Sequence, residues 1–547
     1  MLTTASGPAK TALRTQTLAQ GVALLLALTV AQRLVGFVRG VLFCRWLAAD
    51  DLGRWDLAYG FLMFAAPLAV FGLPGSLGRY AETYRQRGRL RVFLQSLSGC
   101  SLALAAAAGA LALITRDWLS QFIFGGDGQA RLVILLAGGL TLWIVHTLLT
   151  ALFNALRMTR AVAVMQFCHS LGFAVLGSWL LAACEPAATS VVWAFGGACL
   201  VSILLGFGWL GRIWRSLPED AAAQEHQPSS GLRRLASFAF WVWTTNVLAN
   251  LCGLADRWML IQFSGLTEAD ALAQIGQYHS ARLIPLLFLG VAEMLAGLIT
   301  PHLARDWEAG RRAEVSDRLN LILKLFAISL GIAAVGILLI APWLFQTAWG
   351  GKYAAGLALL PWTLTYCIWG SLAVVATNYL WCAERAQLAS LALVVGLIAS
   401  LGLNGWLLPR YGLFGAVLAT SAANLTMLAA MYSSAWRCGM RFDAGLCVLS
   451  LAPAAIAFGP LPGLAMLIAL ALFACSGEIV FNRGEKHLLM QAISSSVGNA
   501  LRGVPSGGET TSNRSSRNGT ESVPQSVLTI EFGHEPTPPP GLVPAER

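Results

Sequence analysis

The chain has 547 residues, of which 56% are hydrophobic and 12% are charged, and its 37 basic and 27 acidic residues leave a formal net charge of +10. A soluble domain carries roughly 25% charged residues, so this chain has too little charge to cover the surface of a soluble protein of its size. The composition therefore excludes the ordinary soluble classes and indicates an integral membrane protein.

Long apolar segments follow one another along almost the whole chain. A helix needs about 20 predominantly apolar residues to span a bilayer. Fourteen segments approach that length, at 19–43, 56–76, 93–114, 132–153, 161–183, 188–210, 235–256, 279–300, 320–341, 357–379, 386–408, 412–433, 443–459 and 462–480. The alternation over about ten residues that marks transmembrane β-strands is not visible. The sequence therefore predicts an all-α integral membrane protein with about 14 transmembrane helices.

The basic residues are distributed unevenly between the connections of these spans. Connections on the side of the N-terminus carry 23 Lys and Arg residues, whereas those on the opposite side carry 8. Because cytoplasmic loops are enriched in Lys and Arg, we expect a multi-pass protein of the cell inner membrane with both termini in the cytoplasm. This bias accounts for the positive net charge without any nucleic-acid partner.

The two halves of the chain repeat each other at a nearly constant spacing. The tripeptides Gly53-Arg54-Trp55 and Gly276-Gln277-Tyr278 are 223 positions apart, and the Trp-Leu pairs that begin at Trp118 and Trp343 are 225 apart. Each half contains six predicted spans, an even number, so both halves enter the membrane from the same side. Such parallel repeats are related by a pseudo-twofold axis along the membrane normal and are typical of transporters with a central substrate site.

These features divide the chain into five predicted parts. They are an N-terminal six-helix lobe at 1–215, a cytoplasmic linker at 216–234, a C-terminal six-helix lobe at 235–440, two extra helices at 441–493 and a tail at 494–547. The tail is rich in Ser, Gly, Pro and Thr, and such a composition buries too little apolar area to offset the loss of chain entropy. We expect it to be a disordered cytoplasmic segment.

Motifs of common membrane enzymes and pumps are missing from the sequence. The dipeptide Gly351-Lys352 is followed by Tyr, so it is no Walker A motif, and there is no HExxH sequence. The eleven cysteines lie singly, without a CxxC pair, and are expected to be small buried side chains. We therefore expect no enzymatic activity, no metal and no cofactor, with a proton or sodium gradient as the candidate energy source.

Ionisable residues inside the predicted spans are the candidate site, because a charge in the bilayer is costly and is retained chiefly for function. The candidates are Arg33, Arg39, Asp256, Arg257, Arg282 and Glu293. Four positive and two negative groups favour an anionic substrate such as a diphosphate, which Arg can bind bidentately. Two structural readings stay open: Arg39 and Arg257 snorkel to the membrane interface, or Glu293 only neutralises a basic group.

Several motifs together carry a resemblance to a known family. They are Arg33-Leu-Val-Gly-Phe-Val-Arg39, Leu52-Gly53-Arg54-Trp55, Asp256-Arg257, Gly276-Gln-Tyr278-His-Ser-Ala-Arg282 and Leu408-Pro-Arg-Tyr-Gly412. Over residues 17–435 the chain resembles the polysaccharide and lipid-linked oligosaccharide flippases of the multidrug/oligosaccharidyl-lipid/polysaccharide (MOP) exporter superfamily. The resemblance implies two lobes that rock around a cationic cavity.

The resemblance also implies a substrate and its partners. It implies export of an undecaprenyl-diphosphate-linked sugar, either an exopolysaccharide or an O-antigen unit, with membrane lipid around the protein and a polysaccharide polymerase as a candidate partner. Two alternatives stay open. The spacing of Arg33 and Arg39 also resembles lipid II flippases, and multidrug antiporters share the superfamily but usually have twelve helices and acidic cation sites.

Overall fold

The computed structural model describes residues 18–86, 88–216, 229–477, 480–487 and 490. All regular secondary structure in these ranges is helical. The α-helices are α1 (Leu18–Trp46), α2 (Ala49–Ala69), α3 (Leu73–Gln86), α4 (Leu90–Ile114), α5 (Arg116–Phe124), α6 (Ala130–Ala155), α7 (Thr159–Ala183), α8 (Ala188–Ser216), α9 (Ser229–Phe263), α10 (Glu268–Arg282), α11 (Leu286–Glu308), α12 (Arg312–Thr347), α13 (Ala354–Cys382), α14 (Ala386–Arg437), α15 (Ala444–Leu451) and α16 (Pro460–Ser476). The predicted tail at 494–547 and most of the predicted linker lie outside the described residues.

Within the described residues each of the fourteen predicted spans falls on helical structure, the last as far as Ser476, which confirms the all-α membrane fold with two six-helix lobes and two C-terminal helices. Within the described ranges, nine helices are by themselves long and apolar enough to cross a membrane. One of them, the 52-residue α14, supplies two spans, because Gly412 has φ of 56° and ψ of −136° and interrupts the helix. Helix α2, which carries Asp50, Asp51, Arg54 and Asp56, is not among these nine helices.

The second and eighth predicted spans are each built from two helices. In the second, α2 ends at Ala69 and α3 begins at Leu73; in the eighth, α10 ends at Arg282 and α11 begins at Leu286. Both spans begin earlier than the predicted 56–76 and 279–300. Hydropathy selects an apolar stretch, whereas the helical backbone continues through charged turns. Transporters commonly interrupt helices near a substrate site, so these breaks draw attention to the region between the lobes.

The repeat is visible in the backbone of the connections. Gly88 and Gly310, which are 222 positions apart, have φ of 64° and 78°. Arg157 and Glu384, which are 227 positions apart, also have positive φ, of 60° and 56°. A positive φ is uncommon for residues other than glycine, so its recurrence at matching connections indicates that the two lobes share a local chain path. The lobe boundaries at 215 and 235 stay a prediction.

The two C-terminal helices are tied to the C-terminal lobe by a buried ionic cluster. The side chain of Lys324, on α12, is fully buried. Its ammonium group donates to Asp443, the N-cap of α15, and to Glu485, whose Oε2 lies 2.8 Å from Nζ. Removing one partner of a buried ion pair leaves an uncompensated charge, so this cluster fixes the ends of the extra helices against α12.

Candidate functional site

The two lobes touch where α2 crosses α10, and the crossing depends on two glycines. A Cβ atom placed on Gly53 would lie 2.0 Å from the carbonyl oxygen of Leu272, and one on Gly276 would lie 1.8 Å from that of Ala49. Both contacts therefore join backbone to backbone. Gly53 and Gly276 are 223 positions apart, and so are Ala49 and Leu272. The contact is thus reciprocal, as it is across a twofold axis, and the pseudo-twofold axis passes through this crossing.

A buried ionic cluster lies one helical turn beyond the glycines. Asp56, on α2, accepts a hydrogen bond from Arg257 Nη1 at 2.8 Å and pairs with His279 Nδ1 at 2.7 Å. The side chains of Asp56 and Arg257 are only 6% and 7% exposed. Arg282 Nη1 lies 3.9 Å from the same carboxylate. Asp56 therefore joins α2 of the N-terminal lobe to α9 and α10 of the C-terminal lobe.

Asp256 extends this cluster into the C-terminal lobe. Its Oδ2 atom accepts a hydrogen bond from the hydroxyl of Tyr278 at 2.7 Å and another from that of Thr420 at 3.3 Å. The hydroxyl of Tyr366 lies 3.0 Å from that of Tyr278. Asp256 and Arg257 are adjacent on α9, yet their closest side-chain approach is 3.7 Å. Both side chains therefore lie closer to side chains of other helices, Asp256 to Tyr278 and Arg257 to Asp56, than to each other.

The remaining predicted residues lie on α1 and α11. Arg33 Nη2 is 2.8 Å from Glu293 Oε2, and these side chains are 47% and 61% exposed. The guanidinium carbon of Arg39 lies 4.2 Å from the ring centroid of Phe173. Among the described residues, no carboxylate lies within 4.0 Å of Arg39. An exposed ion pair contributes little to stability, so Arg33 can exchange Glu293 for another anion at small cost.

The lobes also touch nearer the end of α2, where Trp243 Nε1 on α9 donates to the Pro67 carbonyl at 2.7 Å. Other contacts between the lobes lie at the same end of the molecule as the glycine crossing. Helix α5 contacts the end of α9, and the end of α1 contacts the connection between α12 and α13. The residues just before α6 contact the start of α10. The hydrogen bonds are Trp258 Nε1 to the Phe122 carbonyl at 2.9 Å, Lys352 Nζ to the Arg45 carbonyl at 2.8 Å and Gln129 Nε2 to Glu268 Oε1 at 3.3 Å. We call this end of the lobe interface the sealed end.

An apolar crevice adjoins the ionic cluster. Its volume is about 280 Å³, and its lining comes from α2, α5, α9 and α14. Leu57 and Ala255, the chain neighbours of Asp56 and Asp256, are among the lining residues. Charged groups and an apolar cavity therefore lie side by side between the lobes. This pairing suits a molecule that has an ionic head and a hydrocarbon chain.

The predicted site residues thus separate into three places. Asp256, Arg257 and Arg282 belong to the ionic cluster. Arg33 and Glu293 form a separate ion pair, and the guanidinium of Arg39 packs against the ring of Phe173. Sequence reasoning missed Asp56 and His279, as well as Tyr366 and Thr420. The repeat contained the signal for the first two: Asp56 follows Gly53-Arg54-Trp55, and His279 follows Gly276-Gln277-Tyr278. Extending the matched tripeptides by one residue finds both.

A family model described as polysaccharide biosynthesis protein matches residues 18–306, which is more than half of the chain. The chain belongs to this family. The match runs from the start of α1 almost to the end of α11, so it includes the glycine crossing and all six predicted site residues. No curated protein matches the chain at a significant level.

Several solved structures have the same fold as this chain at low sequence identity. The lipid II flippase MurJ in an inward closed conformation has a TM-score of 0.63 and 15% identity, over 88% of this chain and 100% of that one. An inward-facing multidrug resistance transporter of the MATE family has a TM-score of 0.60 and 15% identity, over 76% and 98%. A MOP superfamily transporter from Pyrococcus furiosus has a TM-score of 0.54 and 13% sequence identity, over 76% of this chain and 94% of that one. The chain therefore has the fold of MOP superfamily transporters.

Proposed function

We propose that the protein is a flippase that moves an undecaprenyl-diphosphate-linked oligosaccharide, an exopolysaccharide or O-antigen unit, from the inner to the outer leaflet of the inner membrane. Membership of the polysaccharide biosynthesis family and the MOP fold support transport of this kind. The observation that carries the proposal is the asymmetry of the lobe interface. The buried carboxylates at its sealed end have cationic partners, whereas Arg33 and Arg39 on α1 have one exposed partner between them.

The two arginines supply the proposed diphosphate site. They are six residues apart on one helix, which gives about 9 Å of rise along its axis. A diphosphate entering between the lobes would displace Glu293 from Arg33 and would give Arg39 an anionic partner. Charge-assisted hydrogen bonds between guanidinium and phosphate are strong and directional. The apolar crevice beside Asp56 would hold part of the hydrocarbon chain.

Alternating access would follow from exchange between two sets of inter-lobe contacts. In the described state α2 and α10 close the sealed end. Binding of a dianion between the lobes would favour a second state in which the crossing of Gly53 and Gly276 separates. A ligand shifts such an equilibrium only by its difference in affinity for the two states. In this scheme the lobes 1–215 and 235–440 move as units.

The charge distribution of the connections supports an orientation with both termini in the cytoplasm. Under that orientation the sealed end faces outward, because the ends of α1 and α9 and the start of α10 lie there. The site between the lobes would then receive substrate from the inner leaflet. A polysaccharide polymerase on the outer side is the partner that we propose to consume the exported unit.

Export of lipid-linked sugar at matched membrane expression tests the proposed site. We expect Arg33→Ala and Arg39→Ala each to reduce export about tenfold or more, because a hydrogen bond to a charged group contributes about 1.5–3 kcal/mol. Arg39→Lys should keep part of the activity, since the charge stays while the planar fork is lost. Arg410→Ala, at an exposed arginine on α14, is the matched control. Normal export by both alanine variants would contradict the diphosphate site.

Lipid II is the second candidate substrate, because the MurJ structure matches over its entire length. Complementation separates the two candidates. Growth and surface polysaccharide should return in a strain that lacks its polysaccharide flippase, and viability should not return in a strain depleted of its lipid II flippase. The reverse result would transfer the proposal to lipid II. Drug resistance without either rescue would favour an antiporter instead.

A further inference from the structure

A polar cavity opens at the end of the C-terminal lobe opposite the sealed end. Its volume is about 690 Å³. It lies where α11 ends and α12 begins, where α13 ends and α14 begins, and where α14 ends. Its lining residues include Trp307, Glu308, Arg312, Trp381, Glu384, Arg385 and Arg437. We call it the Arg–Trp pocket.

The turns of the backbone hold the charged side chains around this pocket. Glu384 has a φ of 56°, and the amide of Arg385 donates to the carbonyl oxygen of Leu380 at 2.9 Å, so this connection is a defined turn. Trp307 packs edge to face on Tyr379 with ring centroids 5.3 Å apart. The guanidinium of Arg312 lies 5.1 Å from the Trp307 ring. The pocket is therefore a built cavity on ordered chain reversals.

The charged groups of the pocket do not neutralise one another. Within the described ranges, none of its three arginines and neither of its two glutamates has an ion-pair partner within 4.0 Å. The neighbouring residues behave differently. Asp306, one residue before Trp307, pairs with both Arg311 and Arg318. Ion pairs thus form next to the pocket but not within it. The unpaired arginines and glutamates of the pocket are therefore available to bind a ligand.

One exposed tryptophan lines the pocket, and another is the chain neighbour of a lining residue. Trp381, which lines it, is 46% exposed, and Trp436, adjacent to Arg437, is 66% exposed. Tryptophan is enriched where a membrane protein meets the lipid headgroups. The helix ends around the pocket also belong to the connections richer in basic residues, which we expect on the cytoplasmic side. We therefore expect the mouth of the pocket to lie at the depth of the headgroups of the inner leaflet.

We propose that the Arg–Trp pocket binds the headgroup of an aminophospholipid such as phosphatidylethanolamine. The phosphate would accept hydrogen bonds from Arg312, Arg385 and Arg437, since the guanidinium fork matches phosphate oxygens. The ammonium group would donate to Glu308 and Glu384, as a primary ammonium has three donors. A headgroup with both charges thus satisfies both unpaired sets. This inference concerns a site outside the lobe interface and holds whichever substrate the protein transports.

Other phosphate-containing ligands fit the pocket less well. Phosphatidylglycerol has no cation for the two glutamates, which would lie unpaired beside its phosphate. The trimethylated ammonium of phosphatidylcholine has no hydrogen to donate to them. A soluble diphosphate carries more negative charge than three arginines opposed by two glutamates can balance. The zwitterionic lipid headgroup is therefore the occupant to which the proposal commits.

Lipid competition on the purified full-length protein tests this assignment. Protein in detergent is mixed with equal amounts of phosphatidylethanolamine, phosphatidylglycerol and phosphatidylcholine with matched acyl chains, and the retained lipids are counted by native mass spectrometry. We expect wild type to retain phosphatidylethanolamine preferentially. The double variant Arg385→Gln/Arg437→Gln should lower that retention about tenfold or more, which corresponds to the loss of one hydrogen bond to a charged group. Glu308→Gln/Glu384→Gln should abolish the preference over phosphatidylglycerol.

Two exposed arginines outside the pocket provide the matched control, Arg410→Gln/Arg441→Gln, which should retain lipid as wild type does. Equal loss in the control and pocket variants would overturn the proposal, as would a wild-type preference for phosphatidylglycerol or phosphatidylcholine. Displacement of the lipid by soluble phosphoethanolamine or inorganic pyrophosphate at low millimolar concentration would overturn the lipid assignment.

A second measurement does not depend on any variant folding. Phosphatidylethanolamine with a photoreactive group on an acyl chain close to the glycerol, which leaves the primary ammonium intact, should label peptides that contain residues 381–388 or 437–438 of the wild-type protein. Labelling confined to other peptides would contradict the site.

Discussion

Substituting alanine at Gly276 tests whether backbone contact between α2 and α10 closes the sealed end. The added Cβ would lie 1.8 Å from the carbonyl oxygen of Ala49, well inside the 3.4 Å at which ordinary contact begins. A Cβ atom and a backbone carbonyl oxygen have no rotamers, so no side-chain rotation relieves this clash. The two closely packed helices must therefore separate by about 1.6 Å.

The magnitude follows from the cost of overpacking. Extra atoms in a well-packed core cost typically 1–3 kcal/mol, and we expect the upper end here because the opposing atom is a backbone oxygen. A penalty of about 3 kcal/mol confined to the described state would raise the population of a state with separated α2 and α10 more than a hundredfold. Gly53→Ala should act in the same direction, since its Cβ would lie 2.0 Å from the Leu272 carbonyl oxygen.

Alkylation of Cys44 measures this separation. Cys44 is fully buried in α1, and Leu47, one turn later, accepts a hydrogen bond from Tyr353 of the C-terminal lobe. In protein whose other cysteines are replaced by serine, Gly276→Ala should increase the maleimide reaction rate at least about tenfold. Gly99→Ala is the control, because no atom lies within 4 Å of the Cβ position there. Wild-type reactivity and thermal stability in Gly276→Ala would refute the reasoning.

Three further outcomes follow from the same contacts. Replacing the buried Lys324 by Met should lower the free energy of unfolding by about 3–5 kcal/mol, because two carboxylates lose their cation; thermal unfolding should recover when both carboxylates are also neutralised. Asp56→Asn should destabilise the protein because Arg257 loses its nearer carboxylate partner, and a further Arg257→Gln change should restore part of the loss; no recovery would mean that the pair is energetically unimportant. Reporter fusions after residues 225 and 490 should both read cytoplasmic, and an external signal from either would overturn the proposed orientation.

Local sequence determined the class of the protein and the number of its spans. Where the structure describes them, the fourteen apolar segments fall on helices, because about 20 apolar residues in a bilayer satisfy their backbone hydrogen bonds only within the segment or in a closed barrel. The same reasoning misjudged where the second and eighth spans begin. Hydropathy averages single residues, and it cannot recognise that Arg54 is neutralised by Asp50 and Asp51 at 2.8 and 3.0 Å on the same helix.

The candidate site was only partly accessible from the sequence. The cost of charge in a membrane identified Arg33, Arg39, Asp256, Arg257, Arg282 and Glu293, and the structure brings three of them into one buried cluster. The partner that organises that cluster, Asp56, was missed because it stands near the charged start of a span, where an acid is unremarkable. Its matching position in the repeat, His279, is 223 residues away and hydrogen-bonds to it.

The sequence by itself determined the membrane class, the helical segments and the two-fold internal repeat, because these depend on composition and spacing along the chain. Only the tertiary structure decided which charges meet. Whether Arg257 reaches Asp56 or Asp256 depends on the rotation of α9 against α2, and on backbone contact at Gly53 and Gly276 that brings the two lobes together. Side chains more than 200 positions apart acquire partners only through that packing, so the pairing of charges is a property of the assembled helices.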